Sequence, residues 1–363
     1  MSHYATSCKI LKVQNLTPQL RQYWQGFVDE TPNLASPYFE LEFTDLMASV
    51  RRDTRVAVFY RNGVPAGFLP FQKSLSGFFR PLGGPMGDHH GLIADNEALR
   101  FSETLKKRLF GTLIFDGGLA SQDDIRNNGH SPEASWVIDL ADGYEAYWEG
   151  RQKAEAKTMR NLRARERKLD ALGGEVVYRI DDPRTVAFDT LLHYKRAQYA
   201  ATGATDVFHG SWARNLAYAL LGHRTDRLAG CLSTMEVDGR IVAAHFGMRS
   251  KDVMHYWFPA YDPALSQVSP GLLLFRELTR GLADLGPTQM HLGPGTYDFK
   301  KRFSNSSFDI MRGEISSLSL SSAILAAGRG IKQLANALPL GPISTWPEKA
   351  WRRLDTLTAV RGI

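Results

Sequence analysis

Two stretches of the chain share one pattern of apolar runs interrupted by a polar turn. In the first, VAVFY and AGFLPF flank Asn62-Gly63, and in the second LSTMEV and RIVAAHF flank Asp238-Gly239. An Asn-Gly or Asp-Gly pair between alternating apolar residues is the strongest short-range signal for a β-hairpin. Segments with helical spacing precede the hairpins, at residues 38–50 and 213–221. The repeated order predicts two related α/β domains.

The segment between these units is typical of one long helix. Met159, Leu162 and Leu169 fall at helical spacing, and Gly173-Gly174 is a stop signal. A domain boundary just before this helix divides the chain into residues 1–140, 141–318 and a C-terminal segment, 319–363.

The second half continues as a strand, loop, helix, strand unit. Residues 253–258 are aromatic-rich and strand-like, residues 271–283 have helical periodicity, and 289–292 form a short strand closed by glycine. Ser269 stands where it could cap the helix, with Pro270 at the first helical position. The free N–H groups of such a helix start can bind an anion, although an ordinary capped helix fits the same residues.

Composition narrows the class of protein. The 363 residues are 43% hydrophobic and 23% charged, as in soluble globular proteins, and the net charge of +6 is a modest excess. Two cysteines exclude a disulfide framework or a cysteine-rich zinc site. The N-terminus MSHYATSCKILKV lacks a signal-peptide core, and no apolar run reaches membrane-span length. We therefore expect a cytoplasmic protein without a metal.

Ionisable residues cluster where the last strand of this unit ends. The stretch HLGPGTYDFKKRF passes from an apolar strand through glycine to Tyr297, Asp298 and Lys300. His245 interrupts another apolar strand, and an imidazole is a natural general base at neutral pH, although strand histidines are more often structural. Lys157 and Arg160 lie on a basic helical stripe that could bind phosphates or simply face solvent. Neither a serine-hydrolase elbow nor a P-loop is present.

Several of these stretches resemble a known family. The sequences KTMRNLRARERKL, HYKRAQYAATGATDVF, GRIVAAHFGMRSKDVMHYWFPAYDP, SPGLLLFRELTR and LGPGTYDFKKRF are similar to the acetyltransferase domain of CelD-like cellulose-biosynthesis proteins. This group is a branch of the GNAT superfamily related to the Fem peptidyltransferases. In the first half, SPYFELEFTDL, GFLPFQ and PLGGPMGDHHGLI are also similar to such proteins. The resemblance implies an α/β fold of two tandem GNAT-like domains in a Fem-like arrangement, with mixed sheets flanked by helices.

The resemblance also implies a reaction. GNAT enzymes transfer an acyl group from acyl-CoA, held where two parallel strands separate, to an amine. It implies that Tyr297 protonates the thiolate and that Asp298 accepts a proton from the amine, directly or through water. A surface loop whose aromatic ring folds back to the core is the alternative for Tyr297, and His245, taken from its place in an apolar strand, is another candidate base. The pyrophosphate loop corresponds to QVSPGLL, which keeps only part of the GNAT pattern. The implied cofactor-binding residues are Gln267, Ser269, Pro270, Gly271 and Leu272.

The resemblance and the polar positions together give a predicted acceptor site. Its candidate residues are Asp88, His89, Lys195, Gln198, Tyr256, Tyr261 and Lys300. The expected function is acetyl transfer to an amino sugar, a nucleotide sugar or a lipid-linked sugar in exopolysaccharide or envelope biosynthesis. The alternatives are Fem-like transfer from aminoacyl-tRNA and a non-catalytic regulatory role. Apart from that tRNA donor, nucleic acid is not an expected partner. The segment 319–363 could dock on the body or contact the inner face of a membrane.

Overall fold

The computed structural model describes residues 4–73 and 77–317, so the expectations for the segment 319–363 lie outside the described residues. The first half contains β1 (Ser7–Leu11), α1 (Pro18–Glu30), α2 (Leu41–Val50), β2 (Thr54–Arg61), β3 (Val64–Lys73), β4 (Phe78–Arg80), α3 (Ser102–Lys106), β5 (Thr112–Leu119), α4 (Asp123–Asn127) and β6 (Gly129–Asp139).

The second half begins with two helices and ends with a long strand. It contains α5 (Tyr144–Ala154), α6 (Ala156–Leu172), β7 (Val176–Arg179), α7 (Thr185–Thr202), α8 (Ser211–Gly222), β8 (Ala229–Val237), β9 (Arg240–Arg249), β10 (Val253–Tyr261), α9 (Pro270–Arg280), β11 (Gln289–Pro294), α10 (Asp298–Phe303) and β12 (Ser306–Ser316).

The strands of the described chain form one mixed sheet. Its order is β1-β2-β3-β4-β5-β12-β6-β11-β10-β9-β8-β7. The β4/β5 and β10/β11 pairs are parallel, and the other pairs are antiparallel. The last strand, β12, lies between β5 and β6 of the first half. The predicted α/β class with a mixed sheet and flanking helices is confirmed, and the sheets of the two halves are joined into one.

Both predicted hairpins are present as β2-β3 and β8-β9. The turn residues have the left-handed backbone that a tight hairpin needs: φ is +53° at Asn62 and +83° at Gly63 in the first turn. In the second turn φ is +51° at Asp238 and +75° at Gly239. The local sequence signal therefore specified both turns.

Helices cover the two faces of the second half. One face packs α7 and α8 on Phe246 and Phe258, and this core includes Tyr38, Phe43 and Met86 from the first half. The opposite face packs α6 and α9 on residues such as Tyr256 and Met290. Because the first of these cores draws side chains from both halves, the two halves are packed together as well as joined through the sheet.

Two local expectations are corrected. The long helix predicted between the halves is interrupted at Glu155, where φ is −127° and ψ is 43°, and becomes α5 and α6. Ser269 precedes α9 and Pro270 is its first residue, as predicted, but the Ser269 side chain makes no capping hydrogen bond. Its φ of +50° turns the hydroxyl away, and the Oγ donates instead to the Ser266 carbonyl at 3.3 Å.

Candidate active site

A gap opens between the parallel strands β10 and β11. The two strands pair only from Val253 to His255 on β10 and from Gln289 to His291 on β11. Beyond this point an extra residue bulges from β10 against β9, and the register of β11 shifts against β6. A bulge bends its strand and ends local pairing. The gap therefore lies at the carboxyl ends of both strands, where ligands bind in open α/β sheets.

The edge of β10 that faces this gap has few free hydrogen-bonding groups. The N–H of Asp262 donates to Val242 on β9, so by alternation Pro259 directs its backbone toward the gap. Pro259 has no N–H, and its carbonyl accepts from Lys195 Nζ at 3.0 Å. The N–H of Trp257 donates to the His245 side chain at 3.2 Å. An extended ligand finds little to pair with between Trp257 and Pro259.

His245 supports the bulge of β10. Its Nε2 accepts the Trp257 N–H, which places the ring proton on Nδ1, and its ring stacks on Tyr256 with centroids 4.1 Å apart. Complete burial lowers the pKa of His245 to about 3. Gly247 leaves room for this ring, because a methyl group there would overlap the His255 carbonyl and lie 2.8 Å from His245 Cε1. The lone pair that a general base would use is occupied.

Asp88 reaches the apex of the gap from the first half. Its Oδ2 lies 3.0 Å from His255 Nε2, and the His255 side chain is fully buried whereas that of Asp88 is 30% exposed. The Tyr38 ring packs edge-on against His255, with centroids 4.9 Å apart. Gly293, with φ of +73°, allows this approach, because a side chain there would collide with Asp88. The pair presents an oriented carboxylate to the gap.

Lys300 completes this cluster from the side of α10. Its Nζ donates to the Pro294 carbonyl at 2.6 Å, at the end of β11. Burial lowers its pKa, while the charges of Asp88 and Glu133 act in the opposite direction. A cation and a carboxylate therefore lie together where β11 leaves the sheet.

In the first half, the corresponding gap is filled by the chain itself. The N–H of His90 donates to Gly117 and its carbonyl accepts from Leu119, both at 3.0 Å. The Gln122 side chain bonds both backbone groups of Leu92, and Ile93 pairs with Phe68 on β3. Beyond the short strand β4, residues 88–93 thus fill the space between β3 and β5. This segment places Asp88 and His89 next to the second half.

The start of α9 lies beside the basic helix α6. Arg165 of α6 donates to the Ser269 Oγ just before α9. The Tyr261 ring lies over Gly271, 3.4 Å from the position of a Cβ there. Pro270 is buried, Leu272 is half-buried and Gln267 is exposed. Pro270 has no N–H, and the N–H groups of Ser269 and Leu272 donate to Ser266 and Ser269, so the N–H of Gly271 is left for a ligand. This N–H, the positive helix end and one guanidinium lie together at the loop, where a phosphate could bind.

The comparisons with known proteins agree with this geometry. Residues 156–301 match the GNAT acetyltransferase domain family. The matched residues include β10, the gap, the start of α9, all of β11 and the first part of α10. This match covers less than half of the chain and supports an acyltransferase domain in the second half, whereas none of the curated proteins matches the chain.

Solved structures show the same overall fold as the whole described chain. FemX is 12% identical, with a TM-score of 0.54 and coverage of 88% of this chain and 99% of that one. A conserved protein of unknown function from Bacteroides thetaiotaomicron is 14% identical, with a TM-score of 0.51 and coverage of 84% and 98%. The likeness to FemX shows a Fem-like tandem fold and no more than the fold.

The three catalytic candidates from the sequence are not brought together in the GNAT domain. Tyr297 stands at the start of α10 with 72% of its surface exposed. The Asp298 side chain is 82% exposed and pairs with Arg302 at 3.1 Å. His245 is buried on β9, which lies on the side of β10 away from the gap. Their roles remain predictions, and the Tyr297 ring lies beside Gly295, just past the end of β11.

The predicted acceptor residues divide into two groups. Asp88, His89 and Lys300 lie at the apex, whereas Tyr256 is buried under α9 and Gln198 is exposed on α7. Lys195 is buried, and this burial lowers its pKa to about 8. The phosphate candidates Lys157 and Arg160 are exposed on α6, away from the turn that Arg165 reaches.

Sequence reasoning missed four residues of the site: Tyr38, Arg165, His255 as the partner of Asp88, and His291. Within the described ranges, no group of His, Cys, Asp and Glu is placed to hold a metal ion. The described helices also include none that is long and apolar enough to cross a bilayer.

Proposed function

We propose that the protein is an N-acyltransferase that moves an acyl group, acetyl in the simplest case, from acyl-CoA to an amine of a sugar or polysaccharide precursor. The observation that carries this proposal is the cluster of Asp88, His255 and Lys300 at the apex of the β10/β11 gap. The match to the GNAT domain supports acyl transfer. The resemblance to CelD-like proteins supports a role in exopolysaccharide or envelope biosynthesis, at the inner face of the membrane.

The proposed reaction uses the charges at the apex in sequence. A neutral amine attacks the thioester carbonyl, and Asp88, held by the His255 N–H, accepts the proton that the amine loses. The Lys300 ammonium stabilises the negative charge on the carbonyl oxygen. The C–S bond then breaks, and Tyr297 at the mouth of the gap protonates the thiolate. Asp298 is the second candidate for the base.

The donor site is proposed at the start of α9, where Arg165, the N–H of Gly271 and the positive end of the helix would bind the CoA diphosphate. Calorimetric titration with acetyl-CoA and desulfo-CoA tests this, using Arg165→Gln and the exposed Arg163→Gln on the same helix as a matched control. We expect binding that weakens about tenfold or more in Arg165→Gln, as for a charge-assisted contact, and remains in the control. Absence of CoA binding in the unmodified protein would reject this donor.

One observation favours a second donor, an aminoacyl-tRNA. In GNAT enzymes the amides of the CoA arm pair with the exposed strand edge, but here Pro259 and Trp257 leave little of that edge free. This strand edge therefore offers a CoA arm little pairing, which leaves the Fem-like donor as the alternative. Binding of aminoacyl-tRNA with a steep salt dependence, in a protein that does not bind CoA, would select this function.

A further inference from the structure

An open groove of about 420 Å³ lies on one face of the first-half sheet, at the turn that follows α3. Its floor is apolar and consists of Ile10, Phe71, Phe79 and Leu109. The rings of Phe71 and Phe79 meet edge to face, with centroids 5.8 Å apart. No residue of a described helix lines the groove, so this part of the sheet face is open to a partner.

Three cations border this floor: Arg55, Lys73 and Arg108. Lys73 and Arg108 are exposed, and Arg55 donates to nearby backbone carbonyls. The carboxylate of Asp53, whose carbonyl accepts the Lys73 N–H, is already paired with Arg51. In the described part of the chain none of the three cations has a carboxylate partner, so the groove carries uncompensated positive charge.

Phe110 stands at the edge of the groove with 87% of its surface exposed. A large exposed apolar side chain beside a patch of this kind marks an interaction surface. The described chain ends here, since the Ser317 N–H donates to the Gly111 carbonyl at 3.0 Å. Residues 318–363 contain six Lys or Arg against two Asp or Glu, so that segment does not neutralise the groove. The charge therefore calls for an anionic partner from outside the chain.

The groove lies at the end of the sheet where the β10/β11 gap opens. Strand β12 is antiparallel to both β5 and β6, and β6 is antiparallel to β11. The start of β5, next to Phe110, is therefore at the end of the sheet toward which β11 runs. Lys301, exposed on α10 just after β11, adds another cation at this end. A surface that contacts the groove thus lies on the side of the molecule where the gap opens.

We propose that this groove docks the protein on an anionic lipid bilayer. The Phe110 ring enters the boundary between headgroups and acyl chains, and Lys73 and Arg108 bind lipid phosphates. Docking in this way turns the gap toward the bilayer, which favours a lipid-linked sugar among the acceptors proposed above. The choice of acceptor rests on the proposed function, whereas the docking surface does not.

Flotation of the full chain with vesicles tests the docking. One set contains equal parts of phosphatidylglycerol and phosphatidylcholine, and the other contains phosphatidylcholine alone. We expect binding to the anionic vesicles that falls as salt is added. The double variant Lys73→Gln and Arg108→Gln should bind at least tenfold more weakly, because each cation near an anionic surface contributes about fivefold. Lys168→Gln with Lys251→Gln removes the same charge from other exposed positions and should bind as the unmodified protein does.

A second pair of variants tests the aromatic contact without changing the charge. Phe110→Ser should weaken binding to the anionic vesicles several-fold, because it removes the ring that enters the bilayer. Val186, on α7, is 75% exposed and has no cationic groove beside it. Val186→Ser is therefore the matched control, and we expect it to retain full binding.

The outcomes separate the docking surface from the proposed function. Failure to bind anionic vesicles, equal binding to neutral ones, or losses no larger in the groove variants than in their controls would each overturn the docking surface. Binding of CoA and transfer to an amine are measured without vesicles, so they decide the reaction on their own. Docking through the groove in a protein that does not bind CoA would keep this surface and reject the acyl-CoA reaction.

Discussion

At the residue scale, the contact between Asp88 and His255 makes the sharpest prediction. Asp88→Asn keeps the shape of the side chain but removes the negative charge that accepts the proton, so transfer should fall by about 10²–10⁴-fold. The measurement is release of free CoA with an amine acceptor, alongside calorimetric donor binding, which should stay unchanged.

Two further variants serve as a control and as a test of the alternative base. Asp95→Asn removes the same charge from an exposed loop and should remain fully active. If Asp298→Asn abolishes transfer while Asp88→Asn retains it, the base is Asp298 and the role proposed for Asp88 is wrong.

Lys195 gives a prediction for stability against pH. Burial lowers its pKa from 10.5 to about 8, so between these values the unfolded state binds more protons than the folded state. The unfolding free energy should therefore rise with pH across this window, by at most about 3 kcal/mol. Lys195→Met should remove this rise in urea titrations, and the exposed Lys251→Met should retain it. Equal slopes in wild type and Lys195→Met would contradict the lowered pKa.

The pairing of Asp88 with His255 could not be predicted from the sequence. The two residues are far apart along the chain, and their meeting depends on how the segment 88–93 fills the first-half gap. A signal for His255 and His291 did exist: each is a polar residue in an otherwise apolar strand, and the two strands are parallel neighbours. Strand alternation predicts that His255 and Tyr256 face opposite sides of the sheet, but it does not show which side holds the cluster.

At the element scale, the bulge of β10 depends on Gly247 of β9. Gly247→Ala would push a methyl group into the His255 carbonyl and the His245 ring, so we expect a loss of about 1–3 kcal/mol of unfolding free energy and weaker transfer. Gly150→Ala, in the exposed interior of α5 with open space around it, should not destabilise. Denaturant unfolding measures both, and an undiminished stability of Gly247→Ala would refute the close packing.

Elements were predictable where the signal is local. The hairpin turns require a left-handed backbone at two successive residues, and the pairs Asn-Gly and Asp-Gly predict this conformation. The division of the long helix at Glu155 carried no Gly or Pro signal, because Glu and its neighbours Ala154 and Ala156 suit a helix interior. Hydrophobic periodicity continues across Glu155, so the sequence does not show where the helix divides.

At the scale of the whole molecule, the joined sheet makes the halves dependent on each other. In the sheet, β12 from the end of the second half separates β5 from β6, and β6 pairs with β11 on its other side. A fragment of residues 1–140 would keep β6 but lose both of its neighbours, and β5 would have an open edge. Exposed edges with apolar faces aggregate rather than fold.

We therefore predict that the fragment 1–140 does not fold alone and that the full chain unfolds in one transition, although the hairpins repeat as two related units. Hydrogen exchange on the fragment should show no protected amides in β5 and β6, and the full chain should lose β5 and β10 protection together. Adding residues 141–317 as a separate fragment should restore protection, because it supplies β11 and β12. A stable, cooperatively unfolding fragment would mean that the boundary near residue 140 separates independently folding domains. The single sheet would then form by association of two domains that are already folded.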